Sequence, residues 1–80
     1  MWWVYIVECN DGTLYTGTSI DVNKRILTHN KGKGAKYTRT RKPVVLVASF
    51  EFEDRSKACK EEYRIKQLSR QEKLVLINKK

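Results

Sequence analysis

The N-terminal hairpin constrains the fold of this chain most. The run WWVYIVEC over residues 2–9 is rich in β-branched and aromatic residues, and it ends at the turn sequence Asn10-Asp11-Gly12. A second run of the same character, TLYTGT, follows over residues 13–18. We therefore predict two neighbouring antiparallel strands, which bring Tyr5 and Tyr15 to one face of a sheet.

A helix and a third strand are predicted next. Asp21 can cap a helix over residues 22–30, VNKRILTHN, which ends at Gly32 and Gly34. The run VVLVASFEF over residues 44–52 predicts a third strand. Its apolar start favours a central strand buried on both faces, or a strand covered by helices.

The C-terminal third predicts two further helices. Asp54 can cap a helix over residues 55–68, and Ser69 with Glu72 forms the capping-box pattern before a short helix over residues 70–80. The predicted order is ββαβαα, an α/β fold with a three-stranded mixed or antiparallel sheet flanked by helices. Eighty residues leave room for a single domain over 1–80.

The charge of the chain points to a polyanionic partner. There are 17 Lys and Arg against 9 Asp and Glu, a net charge of +8. Residues 31–42 form a predicted basic loop without an acidic residue, which contains Lys31, Lys33, Lys36, Tyr37, Arg39, Arg41 and Lys42. This loop would follow a phosphate backbone, with Tyr37 stacking on an exposed base, or it is a solvated loop with no ligand.

The cysteines and the apolar runs indicate the compartment. Cys9 and Cys59 are far apart in the sequence and form no Cys-x-x-Cys pair, and His29 is the one histidine, which disfavours a structural zinc site. The start of the chain resembles no signal peptide, and no apolar run approaches the roughly 18 residues that span a membrane. We expect a reducing, cytoplasmic setting.

One carboxylate is predicted on an apolar helix face. In the second helix Glu62 points with the core residues, and Glu61 lies near the other side of the same stripe. In the first helix Arg25 and His29 flank the buried stripe. A carboxylate in such a place needs a cation, so Glu62 is either a metal ligand or the partner of Arg25 in a structural ion pair.

These residues together resemble a known family. VYI at residues 4–6 and YTG at residues 15–17, followed by Arg25 and a helical Glu, resemble the GIY-YIG nuclease superfamily. The string over residues 32–77 is similar to its small, single-domain bacterial branch, so the resemblance covers nearly the whole chain. The residues that match the functional positions of the family are Tyr5, Tyr15, Gly17, Arg25, His29 and Glu62. Val4 and Thr16 depart from the two motifs.

The resemblance implies a metal-dependent endonuclease-type phosphodiesterase that acts on DNA, with branched and single-stranded DNA among the candidate forms. It implies Mg²⁺ or Mn²⁺ on Glu62, Tyr5 as the general base and Tyr15 orienting it. Arg25, with His29 or a loop lysine, would supply the positive field that favours a phenolate. Two alternatives stay open: a non-catalytic nucleic-acid-binding module with this fold, and a protein-interaction domain. Both tyrosines would then serve packing alone.

Overall fold

The computed structural model of the protein describes residues 1–78, and it contains three strands and four helices in that range. The predicted helix over 70–80 is confirmed as far as Asn78, and its last two positions, Lys79 and Lys80, lie outside the described residues. The elements are β1 (Trp2–Glu8), β2 (Leu14–Ser19), α1 (Val22–Asn30), α2 (Lys36–Arg39), β3 (Val45–Phe52), α3 (Arg55–Lys66) and α4 (Arg70–Asn78).

The sheet is antiparallel throughout and has the strand order β2-β1-β3. Of the two alternatives predicted for the third strand, the central position is wrong, because β1 occupies it and β3 forms an edge. In β1, Val4 to Val7 are all buried, as expected for a strand that is covered on both faces. In β3, Val45 is 61% exposed and Leu46 is 37% exposed, so the apolar start of this strand does not mark a central position.

The two faces of the sheet carry separate apolar clusters. On one face, Val4 and Ile6 pack with Ala58 and Ile65 of α3, and side chains of α4 complete that cluster. On the other face, Tyr5, Val7 and Cys9 pack with Val44, and Tyr15, Val22 and Ile26 adjoin them. Both phenols therefore belong to the face that α1 covers, whereas α3 and α4 cover the opposite face.

The predicted helix signals are largely confirmed. The Asp21 carboxylate accepts a hydrogen bond of 3.0 Å from the Lys24 backbone N–H, which caps α1. Gly32 follows α1 with a φ of 77°, a left-handed conformation that glycine adopts without strain. The helix predicted over 55–68 ends earlier, at Lys66, with Gln67 as its C-cap. Among the described residues, no helix is long and apolar enough to cross a membrane.

The segment predicted as a basic loop is ordered and contains α2, a single helical turn. It is fastened at its end by Asn30, whose side chain donates to the Val44 carbonyl at 3.2 Å and accepts from the Val44 N–H at 2.7 Å. The Arg41 carbonyl accepts a hydrogen bond of 2.8 Å from the Asn10 N–H. These bonds hold the segment against α1 and the β1–β2 turn, so its position relative to the sheet is fixed.

Candidate nuclease site

The strand register brings the two tyrosines together, as predicted. Tyr5 pairs with Gly17 and Val7 pairs with Tyr15, so all four residues point to the same face. Gly17 leaves the space that the Tyr5 ring occupies: a Cβ atom added to Gly17 would lie 2.5 Å from Tyr5 Oη and 2.7 Å from Cζ. The glycine is therefore a steric requirement for the observed position of the phenol.

The phenol of Tyr5 is joined to the ring of His29. Tyr5 Oη and His29 Nε2 are 2.8 Å apart, a hydrogen bond, and the two rings meet edge to face with centroids 5.9 Å apart. Tyr5 is 1% exposed and His29 is fully buried. Gly34 lies so close to His29 that a Cβ atom there would collide with Nδ1. The structure thus brings together two of the predicted site residues in a buried pair.

A third residue, Thr38, completes the hydrogen bonding of His29. Thr38 Oγ1 lies 2.7 Å from His29 Nδ1, and the same hydroxyl donates to the Ala35 carbonyl at 3.0 Å. Thr38 is fully buried although it belongs to α2, in the middle of the basic segment. Sequence reasoning missed it because a threonine among cations carries no periodic or motif signal that predicts burial.

The electrostatics of this pair differ from the expectation. Burial raises the pKa of Tyr5 above its ordinary value, and a hydrogen bond and positive charge from Arg25 oppose that rise without overcoming it. Arg25 thus favours the phenolate, as expected, but burial outweighs its effect, and the resting state is a neutral phenol. Burial, with a smaller contribution from the charge of Arg25, lowers the pKa of His29. At neutral pH the pair is thus a phenol and an uncharged imidazole.

Tyr15 stands at the centre of a stack of rings and cations. Its ring centroid lies 5.5 Å from that of His29 and 5.9 Å from that of Tyr37, and the rings of Tyr15 and Tyr37 are nearly parallel. The guanidinium of Arg41 lies 4.1 Å from the Tyr37 ring centroid, and Lys66 Nζ lies 5.7 Å from that of Tyr15. A nucleic-acid base that stacks on Tyr37 would compete with these neighbours.

Glu62 reaches this region from α3. Its carboxylate pairs with Lys66, with Oε2 2.9 Å from Nζ, and its side chain is 21% exposed. Within residues 1–78 the ion pair of Glu62 is made with Lys66 and not with Arg25, so the predicted structural pair with Arg25 is absent there. The negative charge of Glu62 is one of the causes that raise the pKa of Tyr5. Glu62 therefore acts electrostatically on the tyrosine of the buried pair.

The neighbouring carboxylate, Glu61, has a different environment. It accepts two hydrogen bonds of 2.7 Å from the Arg64 guanidinium, and this contact holds the pKa of Glu61 below its ordinary value. The sequence left the choice between the two glutamates open. The structure separates them, because Glu61 is neutralised by a bidentate arginine and Glu62 is held by a single, half-exposed lysine.

Comparison with known proteins identifies the family. Residues 1–75 match the GIY-YIG catalytic domain. The chain belongs to the GIY-YIG family. Among its relatives is a UPF0213 protein of Staphylococcus haemolyticus, which is 55% identical over 98% of this chain and 95% of its own length. A UPF0213 protein of Staphylococcus saprophyticus is also 55% identical, over 95% and 93%.

Solved structures of related proteins share the fold. The solution structure of the UPF0213 protein BH0048 from Bacillus halodurans superimposes with a TM-score of 0.65 at 49% identity, over 100% of this chain and 86% of that one. The protein EF2693 from E. faecalis gives a TM-score of 0.64 at 38% identity, over 96% and 82%. The UPF0213 names assign no specific activity, whereas the GIY-YIG domain assigns the chain to a nuclease-type family.

The basic segment of this GIY-YIG chain presents most of its predicted cations to solvent. Arg41 is the exception: its guanidinium forms a 3.0 Å ion pair with Asp11 and donates to the Tyr37 carbonyl at 2.8 Å. The exposed cations of the segment are Lys31, Lys33, Lys36, Arg39 and Lys42. Arg41 thus stabilises the segment, and the other cations are available to an anionic ligand.

The residues of the site fit a metal ion that takes one protein ligand. Among residues 1–78, no group of three or more His, Cys, Asp or Glu side chains is arranged to hold a metal ion. A hard cation such as Mg²⁺ does not need such a group, because it is commonly held by one or two carboxylates together with waters and substrate phosphate oxygens. Glu62 is a carboxylate oxygen donor of this kind, so Mg²⁺ or Mn²⁺ on Glu62 stays a prediction that the residues allow.

Proposed function

We propose that this protein is a metal-dependent endonuclease-type phosphodiesterase that acts on DNA. The observation that carries the proposal is the hydrogen bond of 2.8 Å between Tyr5 Oη and His29 Nε2. A phenol and an uncharged imidazole in one buried contact form a route by which a proton can leave a water molecule at neutral pH. A buried phenol needs a hydrogen-bond partner in any role, and an uncharged imidazole is a partner that can also take up a proton.

In this mechanism the pair works as a relay. Tyr5 Oη takes a proton from the attacking water while its own proton passes to His29 Nε2, so that no free phenolate has to form against the raised pKa of Tyr5. The hydroxide adds to phosphorus, the bond from phosphorus to the ester oxygen breaks, and that oxygen takes a proton from solvent water as it leaves. His29, as imidazolium, then returns the proton to solvent through the same phenol. This assignment moves the role of final proton acceptor from Tyr5 to His29.

Charge on the phosphate is balanced by the cations around the pair. Arg25 interacts with Tyr5 and would contact a phosphoryl oxygen at the same place. The exposed cations of the basic segment would hold the neighbouring phosphates, which orients the strand without reading its sequence. Glu62 would hold Mg²⁺ or Mn²⁺, which supplies Lewis-acid stabilisation of the developing negative charge.

The alternative is a nucleic-acid-binding module with the same fold and no turnover. The observation that favours it is the burial of the pair: Tyr5 is 1% exposed and His29 is not exposed. Under the nuclease proposal, the side chains that cover Tyr5 must move when DNA binds, which makes the pair accessible to water. Under the alternative they stay closed. The two unpaired cysteines, Cys9 and Cys59, fit a reducing, cytoplasmic compartment for either activity.

A cleavage assay with a matched pair of glutamate variants tests the proposal. Purified protein is incubated with labelled single-stranded, duplex, nicked and branched DNA, with and without Mg²⁺ or Mn²⁺. We expect cleavage of at least one of these DNA forms, dependent on the metal, and we expect Glu62→Gln to abolish it. DNA binding should persist or tighten in Glu62→Gln, because a negative charge near the phosphates is removed.

Glu61→Gln is the control for that variant. Glu61 and Glu62 are adjacent on α3, each forms an ion pair on the helix surface, and each loss should cost only about 0.2–1 kcal/mol of stability. Glu61→Gln should therefore cleave like the parent. Binding of DNA without cleavage under every metal condition would favour the non-catalytic module, and equal cleavage by the two variants would remove Glu62 from the site.

A further inference from the structure

Thr38 is a buried hydroxyl that the proposed chemistry does not use directly. It contacts His29 on the side opposite Tyr5, and it belongs to the segment that carries the DNA-binding cations. We propose that Thr38 is a positioning residue, which fixes the protonated nitrogen of His29 and thereby couples the basic segment to the Tyr5–His29 pair. The inference concerns hydrogen bonding in the free protein, and it rests on the proposed nuclease function only for its effect on cleavage.

The chain of hydrogen bonds around His29 assigns a position to each proton. Thr38 has one hydroxyl proton, which it donates to the Ala35 carbonyl at 3.0 Å, so its oxygen accepts at 2.7 Å from Nδ1–H of His29. An uncharged imidazole carries one N–H, and Nε2 is therefore left as an acceptor. Tyr5 must then donate to Nε2, and its oxygen lone pairs remain for Arg25 or a water molecule. This is the arrangement that the relay requires.

The opposite tautomer would disable the relay. If Nε2 carried the proton, it would donate to Tyr5, and His29 could not accept a proton from the phenol. The carbonyl of Ala35 disfavours this state, because the Thr38 proton that it accepts is then not available to Nδ1. The backbone of the basic segment thus determines, through Thr38, which way the proton of Tyr5 points.

The position of Thr38 connects this control to DNA binding. Lys36, two residues before Thr38, and Arg39, the residue after it, lie in the same single turn of α2, and both side chains are exposed. A phosphate backbone held by these cations would stabilise the turn that carries Thr38. The titratable groups that face His29 from the elements around it are Tyr5 of β1, Tyr15 of β2 and Arg25 of α1 itself. The contribution of α2 is the uncharged hydroxyl of Thr38.

The single histidine of the chain allows a direct test. In protein labelled with ¹⁵N, both imidazole nitrogen signals come from His29, and their couplings to the ring-carbon protons show which nitrogen is protonated. We expect Nδ1–H in the parent. In Thr38→Val, which keeps the side-chain volume and removes the hydroxyl, we expect Nε2–H to appear. Protonation of Nε2 in the parent at neutral pH would overturn the proposal.

Cleavage and two further variants complete the test. Thr38→Val should lower kcat by about 10- to 100-fold, the range found when hydrogen-bond partners that orient metal-binding histidines are removed, while KM for DNA stays within about twofold. Thr38→Ser keeps the hydroxyl and should restore both the Nδ1–H tautomer and kcat. Thr40→Val, in the same segment but exposed, should match the parent.

The outcomes separate this inference from the proposed function. A parent that shows the Nδ1–H tautomer, with a change in Thr38→Val alone, supports the positioning role even if no DNA is cleaved. If Thr38→Val does not fold, Thr38→Ser and the parent still report the tautomer, and a loss of Nδ1–H in folded Thr38→Ser would contradict the role. An unchanged tautomer and an unchanged kcat in folded Thr38→Val would refute it.

Discussion

Replacement of Gly17 by alanine tests whether the position of Tyr5, rather than its presence, makes the site. The change leaves every proposed functional group in place and adds one methyl group beneath the phenol. The added Cβ would lie 2.5 Å from Tyr5 Oη and 2.7 Å from Cζ, whereas ordinary van der Waals contact begins at 3.4 Å. The phenol must therefore retreat by about 0.9 Å, because dispersion contacts become repulsive at shorter range. Such a shift breaks or misaligns its 2.8 Å hydrogen bond to His29.

Two effects set the change in stability. Adding a methyl group to a filled core costs about 1–3 kcal/mol, and alanine in a strand recovers about 0.5–1 kcal/mol relative to glycine. The net loss for Gly17→Ala then lies between about 0 and about 2.5 kcal/mol, which lowers the midpoint of thermal unfolding by up to roughly 20 °C for a chain of this length. Misplacement of a catalytic group by about 1 Å lowers the rate by about 10²-fold.

Gly12→Ala provides the matched control. Gly12 has a φ of 84° and no atom within 4 Å of the site of a new Cβ, so alanine there strains the backbone by about 1–2 kcal/mol without touching the site. Both variants should be destabilised to a similar extent, measured by thermal unfolding. Only Gly17→Ala should lose cleavage, measured well below either midpoint, and only its His29 ring signals should move. Parental cleavage by folded Gly17→Ala would refute the requirement for the observed Tyr5 position.

Two other predictions concern pH and salt. The pKa of His29 is below its ordinary value of 6.5, so the unfolded chain takes up the proton first as the pH falls. The contribution of uncharged His29 to the free energy of unfolding is therefore complete above about pH 6.5 and is lost below it. The free energy of unfolding should fall there by up to about 1.4 kcal/mol per pH unit. Urea unfolding between pH 7.5 and 5 measures this slope, which should shrink in His29→Gln, and an equal slope in that variant would contradict the assignment. Neutralising Lys33, Lys36 and Arg39 should lower the slope of log K against log salt by about 0.7 to 0.9 for each phosphate that the protein no longer neutralises. The control neutralises three exposed cations on the helix over the opposite face of the sheet, Arg55, Lys57 and Lys60, and an equal decrease of the slope in both variants would show that the basic segment has no special role.

The fold was predictable where each signal is local. The turn at Gly12, the caps Asp21 and Asp54 and the capping box of Ser69 act within a few residues, and the structure contains all of them. The position of β3 in the sheet is not determined by a local signal. Its apolar start fits a central strand or a covered strand equally well, and only the pairing of β1 with both neighbours decides that β3 lies at the edge. Strand order depends on pairing between residues far apart in the chain, and the local signals of a single sequence do not reveal that pairing.

The proximity of the predicted site residues could be predicted from the sequence, whereas their electrostatics could not. Spacing and resemblance selected Tyr5, Tyr15, Arg25 and His29, but they treated the surrounding charge as the main influence on the phenol. Burial is the larger influence here, and it depends on how closely Gly17 and Gly34 let the two rings approach. Burial raises the pKa of Tyr5 and lowers that of His29, so both shifts favour the uncharged forms.

Under the proposed function, the uncharged forms of Tyr5 and His29 alter how the site would catalyse hydrolysis. A base that works as a phenolate would need more positive charge near Tyr5, and an added cation would increase activity. A relay needs instead an uncharged His29 whose Nε2 carries no proton. An added cation would hinder the relay, because it would disfavour the imidazolium that forms. Under the proposed positioning role, Thr38 keeps the proton on Nδ1 and so leaves Nε2 unprotonated, and it is an uncharged residue in the most basic part of the chain. A relay depends on a partner at that buried position that accepts from Nδ1, as the Thr38 hydroxyl can, whereas a phenolate mechanism makes no such demand.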